Sequence, residues 1–169
     1  MDIHPLLVHF PIAFLMVYAL LEIITVFYFQ RFHQIIFVKT FLLAVGMLGA
    51  FAALVTGYIA GERLGAFAVL EAHRFWAQFS AFLFLILCVG YLLYWLDIFK
   101  MVQKLPNSIR RYWNFVEKLR RFILKPVVRL VLACSGLASI GITGALGASM
   151  VFGTTYDPVI TIVYRLLGL

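Results

Sequence analysis

Residues 6–29 read LLVHFPIAFLMVYALLEIITVFYF, an apolar run in which Glu22 is the only acidic or basic side chain besides His9. About 20 apolar residues suffice to cross a bilayer as helix. A buried strand is not this long or this continuous. Three more runs of the same kind follow, at 35–60, 75–99 and 127–152. Together they predict an all-α integral membrane protein: four transmembrane helices in one membrane domain, residues 1–169.

Composition agrees. The chain of 169 residues is 64% hydrophobic and 12% charged, with a mean hydropathy of +1.04. A soluble domain of this size has too little interior for so much apolar surface. The net charge of +7 does not mark a nucleic-acid face, because the basic residues gather between the apolar runs. No nucleic-acid partner is expected. Cys88 and Cys134 fall inside apolar runs and read as small buried hydrophobes, not as a disulfide or metal pair. The first run lacks a basic leader and is long enough to span, so it is expected to be retained.

Gln30–Gln34 is short enough to make the first two helices an antiparallel hairpin, and Gly61 to Ala72 is expected to form the second connection. The third connection is different in kind. Within 105–123, Ile109, Tyr112, Trp113, Val116, Leu119 and Ile123 recur at helical spacing, with Arg110, Arg111, Lys118, Arg120 and Arg121 on the other faces. Asn107-Ser108 after Pro106 reads as an N-cap, and Pro126 as the entry to the next helix. A basic amphipathic helix bearing Trp and Tyr lies in the headgroup plane; an acidic partner subunit would dock on the same surface. After the fourth span, Tyr156-Asp157-Pro158 is a cap-plus-proline start for a short tail helix, 158–168. Val159, Ile162, Val163, Leu166 and Leu167 fit one apolar face of this helix, which is too short to span.

Four spans put both termini on one side. That side carries Arg63, Arg74 and Arg165; the other carries Arg31, Lys39, Lys100, Lys104, Arg110, Arg111, Lys118, Arg120, Arg121, Lys125 and Arg129. The Lys/Arg excess belongs in the cytoplasm. The termini, the tail helix, His4, His9 and His73 are therefore expected on the extracytoplasmic side of a bacterial inner membrane.

These histidines are the candidate site. His4 and His9 precede or enter the first span and His73 the third. Titratable groups at such positions are costly unless something binds or pairs with them. Five residues on a helix separate two side chains by about 140°, so His4 and His9 do not chelate one ion together. His9 and His73, on different helices at one depth, are the expected metal ligands, with His4 in support. Two axial imidazoles from facing helices suit a haem iron, and Phe10, Phe14, Phe75, Trp76 and Phe79 are available to wall the ring. Trp76 counts among the cofactor-binding candidates. The plain alternative is a set of structural histidines, snorkelling to water or satisfied by Asp2, Glu62, Glu71 or Asp157. His33, alone on the other side, reads as surface.

Three further features have structural readings. Glu22 sits mid-span and is expected to be a neutral acid hydrogen-bonded within the bundle, or to pair with a partner helix. Gly46, Gly49, Ala50, Ala53 and Gly57 in the second helix, with Gly136, Gly141, Gly144 and Ala148 in the fourth, allow close helix approach. Glu62-Arg63 reads as a surface pair worth little.

The opening His4-Pro5-Leu6-Leu7-Val8-His9-Phe10-Pro11-Ile12-Ala13 resembles the signature of a bacterial family of small four-helix membrane proteins of unknown function. The resemblance continues through Thr56-Gly57 and Gly61, through His73, and through Thr143–Ala148 in the fourth span. Members of that family are often joined to, or encoded beside, periplasmic c-type cytochrome modules. The resemblance thus implies redox work and haem b ligation, with His4, His9 and His73 as candidate ligands. Many members carry a further histidine where this chain has Ala145, which argues against a second haem here.

The sequence therefore leads to a small membrane subunit of a respiratory or photosynthetic electron-transfer complex, carrying one b-type haem near the extracytoplasmic face. Its expected partners are other membrane subunits, a periplasmic c-type cytochrome and lipid. The competing reading is a cofactor-free scaffold that packs against partner helices, pigments or lipids through its 17 Phe, 8 Tyr and 3 Trp. A transporter is disfavoured because no inverted repeat or broken helix is visible. No nucleophile–base pair accompanies the histidines, so an enzyme is not expected.

Overall fold

The computed structural model describes residues 3–27, 33–65, 67–99, 106–154 and 157–169, without the side chains of 33, 34, 64 and 107–111. Six helices account for nearly all of these: α1 (His4–Phe27), α2 (His33–Leu64), α3 (Ala68–Ile98), α4 (Asn107–Ile123), α5 (Pro126–Phe152) and α6 (Pro158–Leu167). No strand occurs among the described residues. α1, α2, α3 and α5 are long and apolar enough to cross a membrane. The expected roles of Asp2, of Gln30, Arg31 and Phe32 in the first connection, of Lys100, Lys104 and Tyr156, and of the side chains of His33, Ile109, Arg110 and Arg111 lie outside the described residues.

Two boundaries differ from the hydropathy reading. α2 continues to Leu64 and α3 begins at Ala68, so the connection expected over Gly61–Ala72 narrows to a few residues around Gly65, whose φ of 79° suits glycine alone without strain. Glu62, Arg63 and Glu71 are good helix formers. They extend the helices beyond their apolar stretches, where hydropathy reads only loop. His73 consequently sits in the second turn of α3, not at its opening.

α1 packs most extensively on α2, and α3 on α5, while α2–α3 and α1–α5 contacts close the ring. The α1–α2 seam runs antiparallel over three close rungs. A Cβ built on Gly57 would lie 2.8 Å from His4 Cε1, and one on Gly46 2.8 Å from Leu15 Cδ2; Lys39 Nζ reaches Glu22 at 2.9 Å. The α3–α5 seam repeats the pattern. A Cβ built on Gly147 would lie 3.3 Å from His73 Cε1 and one on Gly136 2.7 Å from Phe84 Cε2, and Arg129 Nη1 donates to Tyr91 Oη at 3.1 Å. The bundle is thus two similar helical hairpins side by side. The repeat is parallel, since α1 and α3 run the same way, and so differs from the inverted repeats of many transporters. Small residues let the backbones approach where lipid would supply no hydrophobic drive for association.

Across the diagonal, α1 meets α3 through aromatic edges. Tyr18 lies 6.1 Å from Phe84 and 6.2 Å from Tyr91, both T-shaped, as aromatic quadrupoles prefer. Tyr18, Leu43, Phe84, Leu87 and Ala133 are wholly buried there. Cys88 is buried in this core, but Cys134 is exposed, because it falls on the outward face of α5.

α4 is amphipathic as read, with a different packed edge. Trp113 and Val116 are half-buried and Ile123 is buried, while Tyr112 and Leu119 are exposed. Arg120 lies on the packed side, bonded to Asp97 at 3.1 Å and 5.9 Å over the Tyr94 ring. Ile123 Cγ2 would lie 2.8 Å from a Cβ on Gly90, which anchors the end of α4 on α3. The N-cap is Pro106, with no side-chain cap, so Asn107 and Ser108 are the first helical residues. Near the far end of α4, Arg121 Nε donates to Glu117 at 3.0 Å, and this bond holds the Glu117 carboxyl below its ordinary range.

α6 starts as expected: Asp157 accepts from the Val159 N–H at 2.7 Å and Pro158 follows it. Only part of that apolar face is packed, however. Ile160 and Val163 are buried against Ala145 and Leu146 of α5, with Tyr164 and Leu167 beside them. Val159, Ile162 and Leu166 point outward. Spacing finds an apolar face but not which part of it the neighbouring helix covers.

Candidate functional site

Titratable side chains converge at the two opposite ends of the bundle, and only one of these places was visible in the sequence.

At the first end, α1, α3 and α5 bring His4 and His73 into the half-buried rim. Thr56 Oγ1 spends its hydrogen on the Ala52 carbonyl at 2.9 Å, so it accepts from His4 Nδ1 at 3.2 Å. His73 Nδ1 lies 2.9 Å from the Thr143 carbonyl oxygen, which accepts only. Both imidazoles are therefore set as the Nδ1–H tautomer, with the lone pair on Nε2. Metal-ligating histidines are oriented in this way, by a carbonyl or hydroxyl holding the other ring nitrogen. Gly57 and Gly147 clear the space each ring occupies: a Cβ at either position would crowd Cε1.

His9 does not join them. It is exposed on the outer surface of α1, as the angular separation from His4 requires once His4 faces inward. The structure therefore places His4 and His73, half-buried, at one end of the bundle and leaves His9, the expected partner of His73, exposed. The aromatic wall also divides. Phe10 and Phe14 pair on α1 with centroids 4.6 Å apart. Phe75, Trp76 and Phe79 form a second group on α3, Phe75 stacking on Phe79 at 6.1 Å. Trp76 leans on the α5–α6 cluster around Leu146, and Ala145 is buried in that same cluster. Among the charged neighbours, Glu71 binds Arg74 at 2.9 Å, and Arg74 also lies 5.8 Å over the Tyr58 ring; Glu62 and Arg63 are exposed. No group of three or more His, Cys, Asp or Glu converges as a metal site among the described residues.

At the second end Glu22 is hydrogen-bonded within the bundle as read, but it is also ion-paired with Lys39 and Arg129 where a neutral acid was expected. Glu22 Oε2 accepts from Tyr18 at 3.2 Å, from Tyr91 at 2.9 Å and from Lys39 at 2.9 Å. Arg129 Nε stands 3.4 Å from Oε1. Lys39 also donates to Thr25, whose hydroxyl in turn donates to the Leu21 carbonyl. Glu22 is fully buried and Lys39 only 3% exposed. The sequence assigned Lys39 and Arg129 to the basic rim. The position of each within the first turns of its helix hid that both point inward. A basic residue a turn or two inside an apolar run, on a helix adjoining one with a mid-span acid, is the signal that was present.

No protein-family model, curated protein or solved structure matches the chain.

Proposed function

We propose that the chain is a small membrane subunit of an electron-transfer complex, and that it holds one b-type haem at the histidine end through His4 and His73. The observation that carries the reading is the matched setting of the two imidazoles. Each is fixed by its Nδ1–H to the neighbouring helix and seated on a glycine, with Nε2 as the lone-pair nitrogen. Two neutral imidazoles are a donor set that suits haem iron. A bound haem would supply reversible one-electron chemistry at the iron. The chain's own part is to orient the rings through Thr56 and Thr143 and to exclude water with the apolar helices around them.

The charge distribution supports an inner-membrane placement in which the α4 end faces the cytoplasm. Both termini and the histidine pair then lie outside, within reach of a periplasmic c-type cytochrome. α4, with its basic face, lies in the headgroup plane.

One observation favours a second reading, a cofactor-free scaffold. Each imidazole already makes an interhelical hydrogen bond, which is all that a structural histidine requires. Haem titration into the purified protein, followed at the Soret and α-bands, separates the two. One equivalent bound by the wild type and by His9→Ala, but not by His4→Ala or His73→Ala, supports the haem site. No binding by the folded wild type supports the scaffold.

A further inference from the structure

The buried cluster at the α4 end holds one carboxylate and two bases, and no other acid among the described residues neutralises the difference. Of the chain's seven acidic residues, Asp97 and Glu117 are engaged by Arg120 and Arg121. Glu62, Glu71 and Asp157 belong to the histidine end, and Asp2 precedes the helix that starts there. Two tyrosine hydroxyls add donors to Glu22 but no charge. Arginine stays protonated in proteins, so with Lys39 charged in its 2.9 Å ion pair to Glu22 the cluster of Glu22, Lys39 and Arg129 carries an uncompensated positive charge in apolar surroundings. Such a charge is costly unless it is paired.

Access to it runs through Arg129. Side-chain exposure is 0% for Glu22 and 4% for Lys39 but 19% for Arg129. Arg129 Nη1 is committed to Tyr91 and its buried Nε faces Glu22 Oε1 at 3.4 Å. A guanidinium carries five donors in a planar fork, so its Nη2 edge has donors beyond these two contacts. Arg129 stands one turn inside the start of α5, where α4 ends on α3. Lys118 and Lys125 of that corner are exposed, with exposed Phe122 and Val127 among them, whereas the guanidinium of Arg121 is held by Glu117. Cationic and apolar surface meet there as they do at a headgroup layer.

We propose that this corner binds the phosphate of an anionic phospholipid in the leaflet on the α4 side, with Arg129 as the direct ligand. One phosphodiester carries the single negative charge that the cluster lacks. Its oxygens accept from a planar guanidinium in the charge-assisted manner that favours arginine, and its acyl chains take the apolar surface around Phe122 and Val127. Lys39 acts on the lipid through charge and does not touch it.

The test uses the full-length protein, purified and reconstituted in phosphatidylcholine bilayers with and without phosphatidylglycerol, with retained lipid counted by native mass spectrometry. The wild type is expected to keep one phosphatidylglycerol and to unfold at a higher temperature in its presence. Arg129→Gln should weaken retention by about tenfold, and Arg129→Lys should keep part of it, which shows that the loss is not one of folding. Lys39→Met leaves Glu22 and Arg129 balanced and should weaken retention without altering the corner, whereas Arg121→Gln, on the exposed face of α4, should leave it intact. Three results overturn the proposal. One is no preference for phosphatidylglycerol in the folded wild type, which would place the compensation in a neutral Lys39 amine. Another is retention lost equally in Arg121→Gln, which would mean surface potential alone. The third is protection by inorganic phosphate in detergent equal to that by the lipid, which would mean a free-anion site.

Discussion

Replacing Glu22 by Gln removes the only buried carboxylate of the α4 end and keeps its shape. The variant leaves Lys39 and Arg129 facing two tyrosine hydroxyls and a neutral amide. Removing one partner of a buried ion pair costs about 3–5 kcal/mol, because the remaining charge stays desolvated. Glu22 and Lys39 are nearly inaccessible, but Arg129 is 19% exposed, and water screens that part of the interaction. The expected loss is therefore at the low end, about 3 kcal/mol. Unfolding of the detergent-solubilised protein by graded addition of a denaturing detergent, followed by helical circular dichroism, measures it. The double variant Glu22→Gln/Lys39→Met restores the balance to one cation and should recover about 2 kcal/mol of the loss. A single variant within about 0.5 kcal/mol of wild type would refute the ion-pair account, as would a double variant less stable than the single one.

The same unfolding assay should separate two classes of glycine. Gly136→Ala puts a Cβ 2.7 Å from the fully buried Phe84 ring and should cost about 1–3 kcal/mol, whereas Gly144→Ala meets nothing within 4 Å and should be neutral or gain up to about 1 kcal/mol of helix propensity. A reporter fused after Leu169 should behave as extracytoplasmic and one inserted near Asn107 as cytoplasmic; the reverse would invert the placement of both sites. Thr56→Val removes the acceptor of the His4 Nδ1–H and should lower haem affinity by about 10–100-fold with little change in stability. Unchanged affinity would show that Thr56 does not orient the ring.

The four long helices were legible because length and continuous hydropathy suffice to find them. Their ends were not, since Glu62, Arg63 and Glu71 extend α2 and α3 although they are polar. Helical spacing showed that His4 and His9 diverge, but not which of them faces inward; packing on Gly57 decides for His4. Hydropathy likewise cannot tell an inward lysine from a rim lysine, so Lys39 and Arg129 were counted with the surface charges. The repeat of the two hairpins escaped notice because its rungs keep their size relations while changing their chemistry. Leu15 is answered by Phe84, Glu22 by Tyr91 and Lys39 by Arg129, each pair lying on a matching face.

The central claim is that His4 and His73 hold a haem, and an absorption spectrum of the full-length protein purified under mild conditions tests it most directly. The dithionite-reduced minus oxidised difference should show a b-type α-band in the wild type and in His9→Ala and His33→Ala. That band should be missing from His4→Ala and His73→Ala, with helical circular dichroism unchanged. A folded wild type without the band, or a band that survives in both His4→Ala and His73→Ala, would contradict the account.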